Sequence, residues 1–176
     1  IHRGTDGAVE GVSVEMGRPE LERSRIPAVG TGRMVREGVR VGDRLFEVTA
    51  VSMGNPHAVI FGEGIATPEF ASRYGPLLEH NVELFPRRTN VEFASMRDGG
   101  IDVVVWERGC GITLACGTGA CATAVAAVLH GRAREGEPIE VRLPGGKLSI
   151  TVAPGLSGVR MRGPAERVYS GELSLR

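Results

Sequence analysis

The stretch Glu107 to Gly131, ERGCGITLACGTGACATAVAAVLHG, concentrates the residues that could do chemistry. It sets Cys116 beside Gly117 and Gly119 where a small-residue helix is predicted to begin. A thiol at that position can become a thiolate. The helix end carries partial positive charge, and its first backbone N–H groups have no partner inside the helix. The pattern suits an anionic small molecule with a base held beside it. It does not suit a metal. The spacing C-x5-C-x4-C is not a zinc spacing, and the next histidine, His130, falls at the far end of the predicted helix.

The elements that must position this stretch follow from periodicity. Gly7 to Met16 alternates apolar and polar residues and reads as a strand, followed by a loop to about Gly32. Arg44 to Val51 alternates again and runs into the turn Ser52-Met53-Gly54-Asn55-Pro56-His57, then into an apolar strand, Ala58 to Phe61. Pro68 to Leu78 is predicted to be a short helix, with Thr67 as N-cap and Pro68 at the first position. Asn90 to Met96 and Ile101 to Glu107 form a predicted hairpin around Asp98-Gly99-Gly100. The helix after Cys116 runs to about His130 and stops at Gly131. Ile139 to Leu143, Lys147 to Val152 and Val159 to Arg162 are three further strands, and Val168 to Leu175 is a candidate last one.

From Ala120 to Leu129 the helix has no polar face. A helix apolar all round must be buried all round. The expected fold is therefore α+β, with a curved, barrel-like mixed sheet wrapped around one buried central helix.

Composition bounds the rest. At 176 residues, 41% hydrophobic and 24% charged, the chain can form one ordinary domain with a real core. Its net charge of zero supplies no field to attract nucleic acid or an anionic membrane. The basic spots Arg87-Arg88 and Arg132/Arg134 read as solvated surface. The apolar run Ala120 to Leu129 is too short to span a bilayer, which needs about 20 residues. Three cysteines within twelve positions make no disulfide framework and fit a reducing compartment, so a cytoplasmic location is expected. There is no signal-peptide pattern at the start; Ile1 is not an initiator, so more chain is expected upstream.

Four motifs together resemble one family. ERGCGITLACGTGACA resembles the second-half catalytic motif of diaminopimelate epimerases, and Met53 to His57 their GNPH turn. Arg88 to Phe93 resembles their RTNVxF strand, and Gly163-Pro164-Ala165 their closing GPA. The family has two similar domains, each a barrel-like sheet around a helix that starts with a cysteine, and substrate sits between them. The resemblance covers the second domain. It implies that residues 1–14 are a trailing strand of an absent N-terminal domain and that 15–165 are the C-terminal epimerase domain. Residues 166–176 would be a closing strand belonging to the absent domain. The first domain's cysteine motif, of CGNG type, has no counterpart here. A departure lies at Cys110 and Ile112, where relatives usually carry alanine and glutamate; neither position has a catalytic role in the family.

The resemblance implies a cofactor-independent conversion of LL-diaminopimelate to the meso form, for lysine and peptidoglycan synthesis. No metal or cofactor is expected. A thiolate takes the α-proton from one face and a thiol returns one from the other. Cysteine suits both roles because its reference pKa is about 8.5. Cys116 is the candidate acid or base for one face, and the Gly117 and Thr118 amides are placed to stabilise charge on the reacting carboxylate. Glu107 is implied to help Cys116 exchange its proton. His57 is implied to serve the first domain's cysteine, and so to face an empty half-site here. Asn55, Asn90 and Arg108 are implied contacts to the distal amino-acid end of the substrate, where an arginine fork matches a carboxylate. Taken singly, Cys116 reads as a buried hydrophobe, His57 as a turn histidine and Glu107 as an exposed strand end. Implied partners are the substrate, the missing N-terminal half and a second copy in a homodimer, with no nucleic acid and no membrane. Two other readings stay open: a proline or hydroxyproline racemase-like enzyme, and a non-catalytic binding or assembly module.

Overall fold

Parallel strand pairs need a crossover, and this fold uses its two helices for its two parallel pairs. The computed structural model describes every residue except Arg167, Leu175 and Arg176. Among the described residues the strands begin with β1 (His2–Arg3), β2 (Val9–Gly17), β3 (Glu37–Val41), β4 (Arg44–Ser52) and β5 (Pro56–Phe61). Helix α1 (Pro68–Glu79) then leads to β6 (Asn90–Arg97), β7 (Gly100–Glu107) and β8 (Gly111–Thr113). Helix α2 (Gly117–Leu129) leads to β9 (Pro138–Leu143), β10 (Gly146–Val152) and β11 (Val159–Gly163). One sheet runs in the order β1-β2-β11-β10-β9-β7-β6-β5-β4-β3, with β8 beside β7. The parallel pairs are β5–β6, bridged by α1, and β7–β9, bridged by β8 and α2.

The two helices lie on opposite faces of the central strands. Period-two alternation sends Val103 and Val105 of β7 to the α2 side and Val104 to the α1 side. In β6, Val91 and Phe93 join the α1 core while Ala94 joins the α2 core. Helix α2 touches β4, β5, β6, β9, β10 and β11. A straight helix reaches strands so far apart in sheet order only if the sheet curves around it. Residues Gly119 to Ala127 of α2 are all buried, as an all-apolar helix requires. The sheet wraps α2 but stays open: β1 and β3 form its two ends and are not paired with each other.

Most elements fall where periodicity puts them. Three strands have too little sequence pattern to be foreseen: the two-residue β1, β3, an end strand with only Val39 and Val41 turned inward, and the three-residue β8. Strand β2 crosses the boundary expected at residue 14 and pairs with β11 on both sides of it, from Val12 opposite Gly163 to Glu15 opposite Arg160. The candidate last strand is corrected. Val168 to Ser174 form no strand, Val168, Tyr169 and Leu173 are exposed, and Leu175 lies outside the described residues.

Candidate active site

Alternation also gathers the polar residues. His57 lies two residues before Val59, which faces α2, so His57 faces α2 as well. Asn90 and Glu92 share that face with Ala94, and Glu107 shares it with Val105. The register sets His57 opposite Asn90, Val59 opposite Glu92 and Glu92 opposite Val105. These side chains meet at the starting ends of β5 and β6, where α2 begins.

The turn before β5 depends on Gly54, whose φ of 98° is left-handed. Its amide donates to Ser52 Oγ at 3.3 Å, and this turn delivers Asn55 beside His57. His57 is completely buried. Its Nε2 donates to Asn55 Oδ1 at 2.9 Å, and its Nδ1 shares a proton with Glu92 Oε1 at 2.6 Å. Both His57 ring nitrogens are thus engaged inside this chain. Glu92 is also completely buried, and its Oε2 has no partner among the described residues. Burial pushes the Glu92 carboxyl up, His57 opposes that, and Glu107 adds to it; the net direction is upward.

Cys116 is the N-cap of α2, with extended backbone and its sulfur accepting from the Gly119 amide at 3.4 Å. The Thr118 hydroxyl lies 3.5 Å from the same sulfur. The amides of Gly117 and Thr118 have no partner among the described residues, as expected for a first helical turn. Cys116 is only 7% exposed. Burial pushes the thiol up; the Thr118 hydroxyl lowers it, Glu92 raises it, the Gly119 amide lowers it, and Glu107 raises it. The net direction is upward, with burial the largest cause. Cys121, one helical turn further in, is pushed up to about 12, by burial first and then by Cys116.

Asn90 is almost wholly buried and its amide is spent on the protein. Nδ2 donates to Pro56 O at 2.8 Å and Oδ1 accepts from the Arg108 amide at 2.9 Å, which ties the GNPH turn to the end of β7. Arg108 itself is exposed and donates through Nη1 to Arg87 O at 2.9 Å. Glu107 accepts from the Thr113 hydroxyl at 2.5 Å. Among the described residues no cluster of three or more His, Cys, Asp or Glu could hold a metal ion. Among the same residues no helix is long and apolar enough to cross a membrane.

Two residues of this neighbourhood were not singled out from sequence. Glu92 occupies the variable position of the RTNVxF pattern, and its signal is a charged residue in mid-strand, flanked by Val91 and Phe93. Glu79, at the end of α1, is buried and accepts from Trp106 Nε1 at 2.8 Å and from the Gly109 amide at 2.9 Å. It anchors the turn that carries Arg108.

Residues 49–168 match the diaminopimelate epimerase family. A diaminopimelate epimerase from Desulforudis audaxviator is 53% identical over 169 residues, covering 95% of this chain and 59% of that protein. One from Desulfovibrio desulfuricans is 51% identical, covering 94% of this chain and 59% of its own length. The chain thus spans about three-fifths of these relatives. Among solved structures, a hydroxyproline epimerase from Agrobacterium vitis has the same fold, with a TM-score of 0.67 at 15% identity, covering 92% of this chain and 51% of that one.

Proposed function

The chain belongs to the diaminopimelate epimerase family, and from that premise we propose that it supplies one half of an epimerase site for LL-diaminopimelate. Cys116 is the thiol for one face of the reacting carbon, and a second thiol comes from a first half outside this chain. In one direction a thiolate takes the α-proton, so an S–H bond forms as the C–H bond breaks. The electron pair left on carbon spreads into the carboxylate, and the opposite thiol then delivers a proton to the other face. No cofactor is used. The observation that carries this reading is the position of the Cys116 sulfur, at the first turn of α2 beside two amides with no partner among the described residues. Those amides stabilise the charge that develops on the carboxylate.

Arg108 and Asn55 are assigned to the distal end of the substrate. Asn90 is assigned to that end through Arg108, whose amide it holds. Glu107 and His57 are assigned to proton exchange at the two thiols. The partners proposed are diaminopimelate, the first half, and a second copy of the enzyme joined through an open sheet edge. Three free thiols favour the reducing cytoplasm.

The test joins this chain, fused or in trans, to the first half of the Desulforudis audaxviator relative. Deuterium uptake at the α-carbon of diaminopimelate is followed in D2O. Turnover is expected from the joined halves, with a loss of about 10²–10⁴-fold or more in Cys116→Ser. Undiminished turnover in Cys116→Ser would sink the assignment.

A further inference from the structure

Glu92 is completely buried near the start of β6, between two acid–base groups, and one of its carboxylate oxygens has no partner among the described residues. An unpaired buried oxygen is costly to fold around. Its other oxygen is bound to His57 Nδ1. On the far side lies Gly119. A side chain starting there would sit 2.9 Å from Glu92 Oε1 and 3.2 Å from Cys116 Sγ. The carboxylate and the sulfur therefore flank one bare glycine, with no side chain between them.

We propose that Glu92 is a positioning residue for both His57 and Cys116: it fixes the His57 ring through Nδ1, and across the bare Gly119 its carboxyl group, which shares a proton with His57, governs how readily the Cys116 thiol gives up its own. The proposal rests on the reading of Cys116 as a proton-exchanging group. The other groups facing this point are few. His57 comes from β5, Glu107 from β7, Cys121 from α2 and the Thr113 hydroxyl from β8; the β11 residue against Gly117 is the uncharged Met161. None of these groups is an arginine or lysine, and the hydrogen-bond partner of Glu92 is His57. Glu92 thus links a histidine from β5 with a cysteine at the start of α2.

The test measures alkylation of Cys116 by iodoacetamide against pH, on the 176-residue chain in a Cys110→Ser background. Fragment-ion mapping assigns the modified cysteine. The unaltered site should show a midpoint above about 8.5, the value for a free cysteine. Glu92→Gln should lower the midpoint by about one pH unit, and Glu92→Asp should keep most of the elevation. A purely structural role would change the melting temperature of Glu92→Gln and leave the midpoint in place, which overturns the proposal. A midpoint at or below that of free cysteine in the unaltered site also overturns it, even if Glu92→Gln does not fold. The measurement uses no diaminopimelate. If the shift appears and the joined halves do not turn over, the proposed function fails and the role of Glu92 stands.

Discussion

The Cys116 sulfur accepts from the Gly119 amide at 3.4 Å, so the atom proposed to move a proton also caps the helix that presents it. The two roles separate by substitution. Serine is a strong N-cap and should preserve the fold in Cys116→Ser while removing the thiol chemistry. Cys116→Ala should lose the cap at a cost of about 0.5–1 kcal/mol, the low end for a lost cap because sulfur is a weak acceptor. Urea denaturation of both variants checks this; equal destabilisation would show that the sulfur contact contributes nothing.

The three thiols should react in a fixed order. Cys110 is exposed, Cys116 is buried but at a helix start, and Cys121 lies inside α2 with its thiol pushed up to about 12. Timed alkylation at neutral pH, mapped by mass spectrometry, should modify Cys110 first and Cys116 next. Cys121 should react only on unfolding. Labelling of Cys121 ahead of Cys116 would contradict the placement of α2.

Much of this arrangement is legible in the sequence because its signals are local. The CGTG step into an apolar run defines the start of α2 and its burial, and Thr67-Pro68 defines the start of α1. The acidity of Cys116 is not local. The helix end can be read from the chain, but the opposing carboxylates arrive from β6 and β7. Glu92 shows the same limit. Beside Val91 and Phe93, a polar alternate residue reads as the wet face of a strand, and only the packing of α2 over that face makes it dry. Val168 to Ser174 fail for the converse reason: the residues suit a strand, but a strand forms only where an edge receives it.

Glu79 should make the Arg108 turn sensitive to acid. Burial pushes its carboxyl up, but hydrogen bonds from Trp106 and Gly109, with His80 and Arg88 nearby, outweigh this and hold it below the usual range. A depressed carboxyl adds stability that is complete above the unfolded value of about 4.3 and is lost as pH falls through the folded value. Thermal melts should therefore show a steeper acid decline in the unaltered chain than in Glu79→Gln. Glu79→Ala, which leaves the Trp106 indole N–H without its acceptor, should cost about 1–3 kcal/mol at neutral pH. Parallel acid profiles would place the acid sensitivity elsewhere.

Gly119→Ala tests the shared space between Glu92 and Cys116. By helix propensity alone the substitution should stabilise α2 by about 1 kcal/mol. The new methyl, however, would lie 2.9 Å from Glu92 Oε1 and 3.2 Å from Cys116 Sγ. Neither neighbour yields cheaply, because Glu92 is fixed by His57 and Cys116 holds the helix cap. Overpacking of this kind costs about 1–3 kcal/mol, so the net effect should be destabilising, with a melting temperature lower by a few degrees. Pushing the sulfur and the carboxylate apart should also lower the alkylation midpoint of Cys116, since the charge that opposes its ionisation moves away. A chain that melts higher, with an unchanged midpoint, would mean that the two groups do not share this space.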